Sequence, residues 1–177
     1  KHQFLEQYEI QSNQFEYIKV QGDYFELGSN VFKGKWKDKV IAIKEYSSWA
    51  EAFREAIRYG RSFQHSNLCN FYGICKEGES TRKKPVIILE YLSSTFESTF
   101  SDAVVRSQYL NEEKFISLLI SFANGLQHLH SHGVYHGDLA ARNLMMTNDN
   151  NLKISDLGES HLVQENYSEY KFNPDKK

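Results

Sequence analysis

Two carboxylates and an amide are grouped late in the chain, in a pattern that could hold a metal ion or move a proton. The run His136-Gly137-Asp138-Leu139-Ala140-Ala141-Arg142-Asn143 is followed by Asp156-Leu157-Gly158. Asp138 and Asn143 lie five apart, and Asp156 stands two before a glycine that lets the backbone turn sharply. Brought together, these oxygens make a site for Mg²⁺, a hard cation. One carboxylate could instead accept a proton from an attacking hydroxyl. Taken singly, an Asp before Leu-Gly reads as a turn, and Lys44, which ends the run Val40-Ile41-Ala42-Ile43, reads as a solvated strand end.

The elements that must position these residues fall into two parts. Up to about residue 92 the chain reads as strands and turns. Residues 15–20, 31–36, 40–44, 68–75 and 86–91 are strand candidates rich in β-branched and aromatic residues. Lys37-Asp38-Lys39 is a compact polar turn, and 77–84 is a charged hairpin loop. The continuous apolar run 40–43 suits a strand covered on both faces. Residues 48–63 read as a helix, with Ala52, Phe53, Ala56, Ile57 and Phe63 at helical intervals and Gly60 weakening the interior.

Near Asn111 the character changes. Asn111 is a good N-cap, Glu112 and Glu113 suit the positive end of the dipole, and Gly133 ends the helix. Phe115, Leu118, Leu119, Phe122, Leu126 and Leu129 form one apolar stripe along it. Short strand signals follow at 144–146 and 152–154, split by the turn-like 148–151. Serine-rich 92–101 reads as the hinge. The fold class is therefore α+β, divided into 1–92 and 93–177.

Composition sets the outer limits. The chain has 177 residues, 40% apolar and 14% aromatic, which excludes a disordered or fibrous chain. A net charge of −2 gives no electrostatic reason to expect nucleic acid or an anionic membrane as partner. The longest apolar stretch, 115–123, is interrupted by Ser117 and Ser121 and falls short of a bilayer span. Residues 1–17 hold no unbroken apolar run of the signal-peptide kind. Two cysteines, Cys69 and Cys75, do not make a disulfide framework and suit a reducing, cytoplasmic setting.

With these motifs in this order, the sequence resembles the protein kinase family over nearly its whole length. Residues 136–143 match the H-R-D-L-x-x-x-N loop, 156–158 match D-F-G, and Ile41-Ala42-Ile43-Lys44 matches V-A-I-K. The resemblance implies a bilobal fold with ATP and Mg²⁺ in the interlobe cleft. It implies Asp138 as catalytic base, Asn143 and Asp156 as Mg²⁺ ligands, and Lys44 on the α- and β-phosphates. It further implies Gly28, Val31, Ala42, Glu55, Glu90, Leu92 and Met145 as residues of the nucleotide site. Ile88-Leu89-Glu90-Tyr91-Leu92 is similar to the segment whose backbone meets adenine, with Leu89 at the gatekeeper position. The wording Asp138-Leu139-Ala140-Ala141-Arg142-Asn143 is similar to tyrosine kinases. The implied partners are a nucleotide and a protein substrate or partner, another kinase among the candidates.

Several positions depart from that pattern. Leu27-Gly28-Ser29-Asn30-Val31 replaces G-x-G-x-x-G-x-V and is shorter by four residues and two glycines. The expected consequence is a tighter turn with fewer N–H donors for phosphate. This loop, the following Phe32-Lys33-Gly34-Lys35-Trp36, the Phe71-Tyr72-Gly73-Ile74-Cys75 run and Gly137 resemble the mixed-lineage-kinase-domain-like pseudokinases, a group that typically lacks the carboxylates kept here at 138 and 156. Gly137 removes the arginine that pairs with a phosphorylated activation loop, and Leu157 replaces phenylalanine. Glu55 best matches the glutamate that pairs with Lys44, but counting back from His65 puts that place at Ala56, about 100° around the helix. Few residues follow Asp156 and no A-P-E occurs, so the chain reads as an excerpt or a truncated relative. The expected activity is a signalling pseudokinase with impaired or absent phosphoryl transfer; an active, tyrosine-directed kinase is the alternative.

Other constellations have plainer readings. Among His128, His130, His132 and His136, only His128 and His132 share a helix face, and all four read as structural. Cys69 and Cys75 read as buried thiols, since the C-x-x-C spacing of a zinc site is absent. Tyr167, Ser168 and Tyr170 read equally as phosphoacceptors or as a polar loop.

Overall fold

The computed structural model describes residues 3–62, 64–76, 84–101, 104, 106–107, 111–149 and 151–163. Phe63, most of the hairpin loop expected at 77–84, and the candidate phosphoacceptors Tyr167, Ser168 and Tyr170 lie outside the described residues.

The first part is an antiparallel sheet with one helix across it. Its strands are β1 (Phe15–Tyr17), β2 (Lys19–Val20), β3 (Asp23–Tyr24), β4 (Glu26–Gly28), β5 (Val31–Trp36), β6 (Lys39–Glu45), β7 (Phe71–Cys75) and β8 (Val86–Glu90). The main sheet runs β1-β5-β6-β8-β7, with β4 also paired to β5. The strand expected over 15–20 is thus two short strands interrupted at Ile18, and β2 pairs with β3 instead of joining the main sheet. Ile41 and Ile43 are fully buried and Ala42 nearly so, as their continuous apolar run requires, but Val40 is 42% exposed near the hairpin. That hairpin turns at Lys37, whose φ of 54° is left-handed, and Lys39 already belongs to β6.

Helix α1 (Trp49–Ser62) begins after Ser48, whose Oγ accepts the Glu51 N–H at 3.3 Å. Its inward face is Ala52, Glu55, Ala56 and Tyr59, all buried and spaced by three and four residues. A charged residue on that apolar face requires a partner, and Lys44 provides one, as described below.

Residues 92–101, expected to be the hinge, carry a short strand and a short helix. β9 (Ser94–Thr95) pairs with β11 (Leu144–Met146), and α2 (Phe96–Ser101) follows it. The link leaving β8 is therefore only residues 91–93. Helix α3 (Glu112–Ser131) has the expected cap, with Asn111 Oδ1 accepting the Glu113 N–H at 3.0 Å, and Gly133 exits it at φ 71°. Of its stripe, Leu118 and Leu129 are buried, whereas Phe115 and Leu119 are 38% and 51% exposed. After α3 come β10 (Val134–Tyr135), β11, β12 (Leu152–Ile154) and β13 (His161–Leu162). β11 and β12 pair antiparallel as their spacing implies, and β10 pairs with β13. Among the described residues, no helix is long and apolar enough to cross a membrane.

The two parts share one buried cluster. Leu5, Ala52, Ala56, Tyr59, Leu68, Phe71 and Leu89 from the first part meet Leu129, Val134, Ile154, Leu157 and Leu162 from the second. Gly125 of α3 approaches the Asn67 carbonyl so closely that a Cβ would lie 2.7 Å from it. Asn67 in turn donates to the Leu152 carbonyl at 3.0 Å, fixing the strand that leads to Asp156 against the first part.

Candidate active site

Lys44, Glu55 and Asp156 come together although they lie on β6, on α1 and after β12. Lys44 Nζ stands 3.1 and 3.0 Å from the two Glu55 carboxylate oxygens and 2.8 Å from Asp156 Oδ1. Glu55 is 1% exposed. Its Oε2 also accepts the Tyr46 hydroxyl proton at 2.5 Å. The register counted back from His65 is thereby corrected: Glu55, not Ala56, meets the lysine, and Ala56 packs in the core.

Electrostatics follow from this geometry. Burial on its own lowers the Lys44 pKa, but the Glu55 and Asp156 carboxylates outweigh it and hold the ammonium above the usual lysine value. For Asp156 burial pushes upward, and the Lys44 ammonium prevails, so the carboxyl sits below its ordinary range. Burial pushes the Glu55 carboxyl up, against the pull of Lys44 and the Tyr46 hydroxyl.

Asp156 itself has φ 60°, a conformation uncommon for a residue with a side chain. Its Oδ1 takes both Lys44 and the Gly158 N–H, at 3.2 Å. Among the described residues no hydrogen bond engages Oδ2, which leaves that oxygen available to a cation. The loop at 136–143 is fixed to the same strand end. His136 is buried and its Nε2 donates to the Ser155 carbonyl at 2.8 Å, while its Nδ1 accepts the Asp138 N–H at 3.3 Å. Asn143 Nδ2 donates to the Asp138 carbonyl at 2.8 Å and to Asp138 Oδ2 at 3.0 Å. That bonding turns the amide oxygen away from Asp138. The Asn143 backbone carbonyl accepts from both the N–H and the hydroxyl of Ser155, at 2.9 and 3.0 Å.

Asp138 is engaged too. Arg142 Nη2 lies 2.8 Å from each of its carboxylate oxygens. Both Asp138 carboxylate oxygens are thus already occupied by a cation.

Between the two parts is a cavity of about 440 Å³. Gly28, Val31, Ala42, Lys44, Glu90, Leu92, Met145, Asn143 and Asp156, all singled out from sequence, line it. Glu55 lies behind Lys44, outside this lining, and Asp138 reaches the region through Arg142 and Asn143. An apolar slot ending in a lysine, an amide and a carboxylate matches a ligand with a flat apolar head and an anionic tail. Mg²⁺ is commonly held by one or two protein oxygens together with phosphates and water. The Asn143 amide and Asp156 carboxylate are a donor set of that kind. Among the described residues no cluster of His, Cys, Asp and Glu makes an all-protein metal cage.

The loop over this cavity is a two-residue turn. Gly28 pairs with Val31 across it, and Asn30 supplies the positive φ of 58°. The sequence expectation of a tighter turn holds.

Reasoning from sequence missed some of the lining. Cys69 lies 5% exposed at the back, its thiol directed at the Glu90 carbonyl 3.7 Å away. Thr95 and Ser98 border the outer end. Lys153, between two apolar residues of β12, is 9% exposed and ion-paired to Glu90 at 2.7 Å. The contacts of Cys69 and Lys153 with Glu90 span 21 and 63 residues of chain, which local pattern does not carry.

A family model for protein tyrosine and serine/threonine kinases matches residues 25–176. The chain belongs to this protein kinase family. The kinase domain is 33% identical over 142 residues to a probable serine/threonine-protein kinase of Dictyostelium discoideum, covering 73% of this chain and 10% of the relative. It is 30% identical over 140 residues to the tyrosine-protein kinase Src64B of Drosophila melanogaster, covering 75% and 24%. It is 29% identical over 135 residues to the mitogen-activated protein kinase kinase kinase dlk-1 of Caenorhabditis elegans, covering 75% and 13%. The chain thus spans between a tenth and a quarter of the length of these relatives. Both serine/threonine and tyrosine kinases stand among them, so the tyrosine-like wording of the catalytic loop does not decide the acceptor.

The histidines also find their places. His128 and His132 lie against each other with tilted rings 4.3 Å apart, as their shared face allows, and His65 stacks on His128 at 4.4 Å from the other part. His130 is exposed and rests against Tyr135. Gly137 has φ 80°, and a Cβ there would collide with the Glu159 carbonyl. Losing the arginine at 137 therefore lets the chain after Gly158 pass close by.

Proposed function

We propose that this kinase domain binds ATP with Mg²⁺ in the interlobe cleft and transfers phosphate weakly or not at all, serving in signalling as a pseudokinase that engages a protein partner. The carrying observation is the two-residue turn at Ser29-Asn30 above a cleft whose lysine, amide and carboxylates are otherwise in place. Adenine would lie between Val31 and Ala42 on one side and Met145 on the other, with Glu90 and Leu92 at its edge. Lys44, held by Glu55, would take the α- and β-phosphates. Asn143 and Asp156 would hold Mg²⁺, which when bound neutralises charge on the phosphates. A shortened turn brings fewer backbone N–H groups to the γ-phosphate, so positioning suffers more than adenine recognition. Arg142 occupies both Asp138 oxygens, so a substrate hydroxyl would have to displace it to reach the base.

The test is to lengthen the turn. Replacing Ser29-Asn30 by a six-residue glycine-rich loop should strengthen binding of ATP relative to adenosine and raise phosphate transfer to a generic protein substrate. Equal ratios before and after would refute the role given to the turn. A second reading, an active kinase, is favoured by the presence of Lys44, Asp138, Asn143 and Asp156 at one cleft. Robust transfer by the unaltered chain, abolished by Asp138→Asn, would establish it instead. The protein substrate or partner, another kinase included, and a cytoplasmic setting belong to the same proposal.

A further inference from the structure

Residues 3–15 precede the span matched by the family model and fold back over the sheet. Leu5, Ile10 and Phe15 are each no more than 5% exposed. The Ile10 N–H donates to the Ile74 carbonyl at 2.9 Å, and Glu9 bridges the same residue. Gly73 of β7 admits the segment: a Cβ there would strike the Ile10 side chain and lie 2.5 Å from the Tyr8 carbonyl.

What this segment touches continues to the site. The Tyr8 ring packs on Phe71 with centroids 5.2 Å apart. Phe71 stacks on Tyr59 at 5.8 Å, with planes only 12° apart. The Tyr59 hydroxyl accepts the Asp156 backbone N–H at 3.1 Å. Burial keeps that phenol protonated well past its ordinary range. Asp156 sits at a φ that a residue with a side chain adopts only when its surroundings impose it. Its N–H is bonded to the Tyr59 hydroxyl.

We infer that residues 3–15 are a strap acting through Tyr8, Phe71 and Tyr59 to hold the Asp156 backbone in its left-handed conformation, with Tyr59 as a positioning residue for the metal-binding carboxylate. The inference rests on the Mg²⁺ role proposed for Asp156. A chain of packed rings alone does not establish coupling, so the test measures coupling.

In the full chain, amide hydrogen exchange at Asp156 is followed by NMR for the wild type, Tyr59→Phe, Tyr8→Ala and the double variant. Tyr59→Phe removes one oxygen and keeps the ring, so it should speed exchange at Asp156 by about threefold to tenfold while exchange in β5–β8 stays unchanged. Tyr8→Ala should give a smaller increase at Asp156, and add nothing in the Tyr59→Phe background. In parallel, Tyr59→Phe should weaken ATP with Mg²⁺ by a similar factor and leave adenosine alone. Unchanged exchange at Asp156 in Tyr59→Phe overturns the inference. So does an equal Tyr8→Ala effect in both backgrounds, which would mark the strap as general packing. If Mg²⁺ makes no difference to ATP binding by the wild type, the metal role of Asp156 fails, and the exchange data still judge the strap.

Discussion

Replacing Glu55 by alanine strikes the most buried charge of the site. Glu55 is 1% exposed and accepts from Lys44 twice and from Tyr46 once. Breaking a buried ion pair by removing one partner costs about 3–5 kcal/mol. Here the lower figure applies, because the Lys44 side chain is 19% exposed and keeps Asp156 at 2.8 Å. The Tyr46 hydroxyl, stranded without its acceptor, adds about 1 kcal/mol. The sum is about 4 kcal/mol, or a fall in Tm of roughly 8–16 °C for a chain of this size. Urea denaturation and thermal melting of Glu55→Ala measure it. Glu55→Gln keeps an acceptor for Tyr46 and should lose about 1 kcal/mol less. The pair Lys44→Met with Glu55→Leu should lose less than the sum of the single changes by at least about 1 kcal/mol, since no charge is left unpaired on the helix face. A loss under about 1 kcal/mol for Glu55→Ala, or strict additivity in the cycle, would refute the account of why this helix lies where it does.

Restoring the arginine at 137 should harm the domain: Gly137→Arg forces a Cβ against the Glu159 carbonyl at φ 80°, and melting should show a loss of about 2–4 kcal/mol with no gain in transfer. The Asp156 carboxyl is held low by Lys44, so its contribution to stability is present above the ordinary carboxylate range and fades as pH falls through its folded value. Lys44→Met should therefore move the Asp156 titration upward by carbon NMR; an unmoved titration would contradict the pairing. Lys44, raised in the fold, should contribute stability below its ordinary pKa and lose it as pH rises through the folded value. Cys69, with its thiol pushed up to about 12 by burial and by Glu90 nearby, should alkylate at pH 8 at least about tenfold more slowly than in the unfolded chain, as read by mass spectrometry.

Much of the site was legible because its groups sit at positions with local signatures. Asp138, Asn143 and Asp156 stand in one loop and after one strand, and the apolar run before Lys44 marks a buried strand whatever surrounds it. The helix cap at Asn111 and the pairing of 144–146 with 152–154 are likewise local chemistry. What pattern did not carry is tertiary. Lys44 meets Glu55, the residue matched to it from sequence, whereas the count from His65 fell one position away because it treats the connection after α1 as rigid. The serine-rich 92–101 has a loop's composition, yet Ser94 and Thr95 gain a partner strand and Phe96 and Phe100 stack at 4.2 Å. Val40 belongs to an apolar run but lies at a hairpin end, where the sheet leaves it open to water. Lys153 and Cys69 take their meaning from Glu90, which lies far from both in the chain.

The most direct test of the central claim is a calorimetric titration of the domain with ATP, with and without Mg²⁺, alongside Asp156→Asn. Binding should be saturable, tightened by Mg²⁺ in the unaltered chain and no longer tightened once the carboxylate is neutralised. Absence of binding at millimolar ATP, or an Mg²⁺ effect that survives Asp156→Asn, would contradict it.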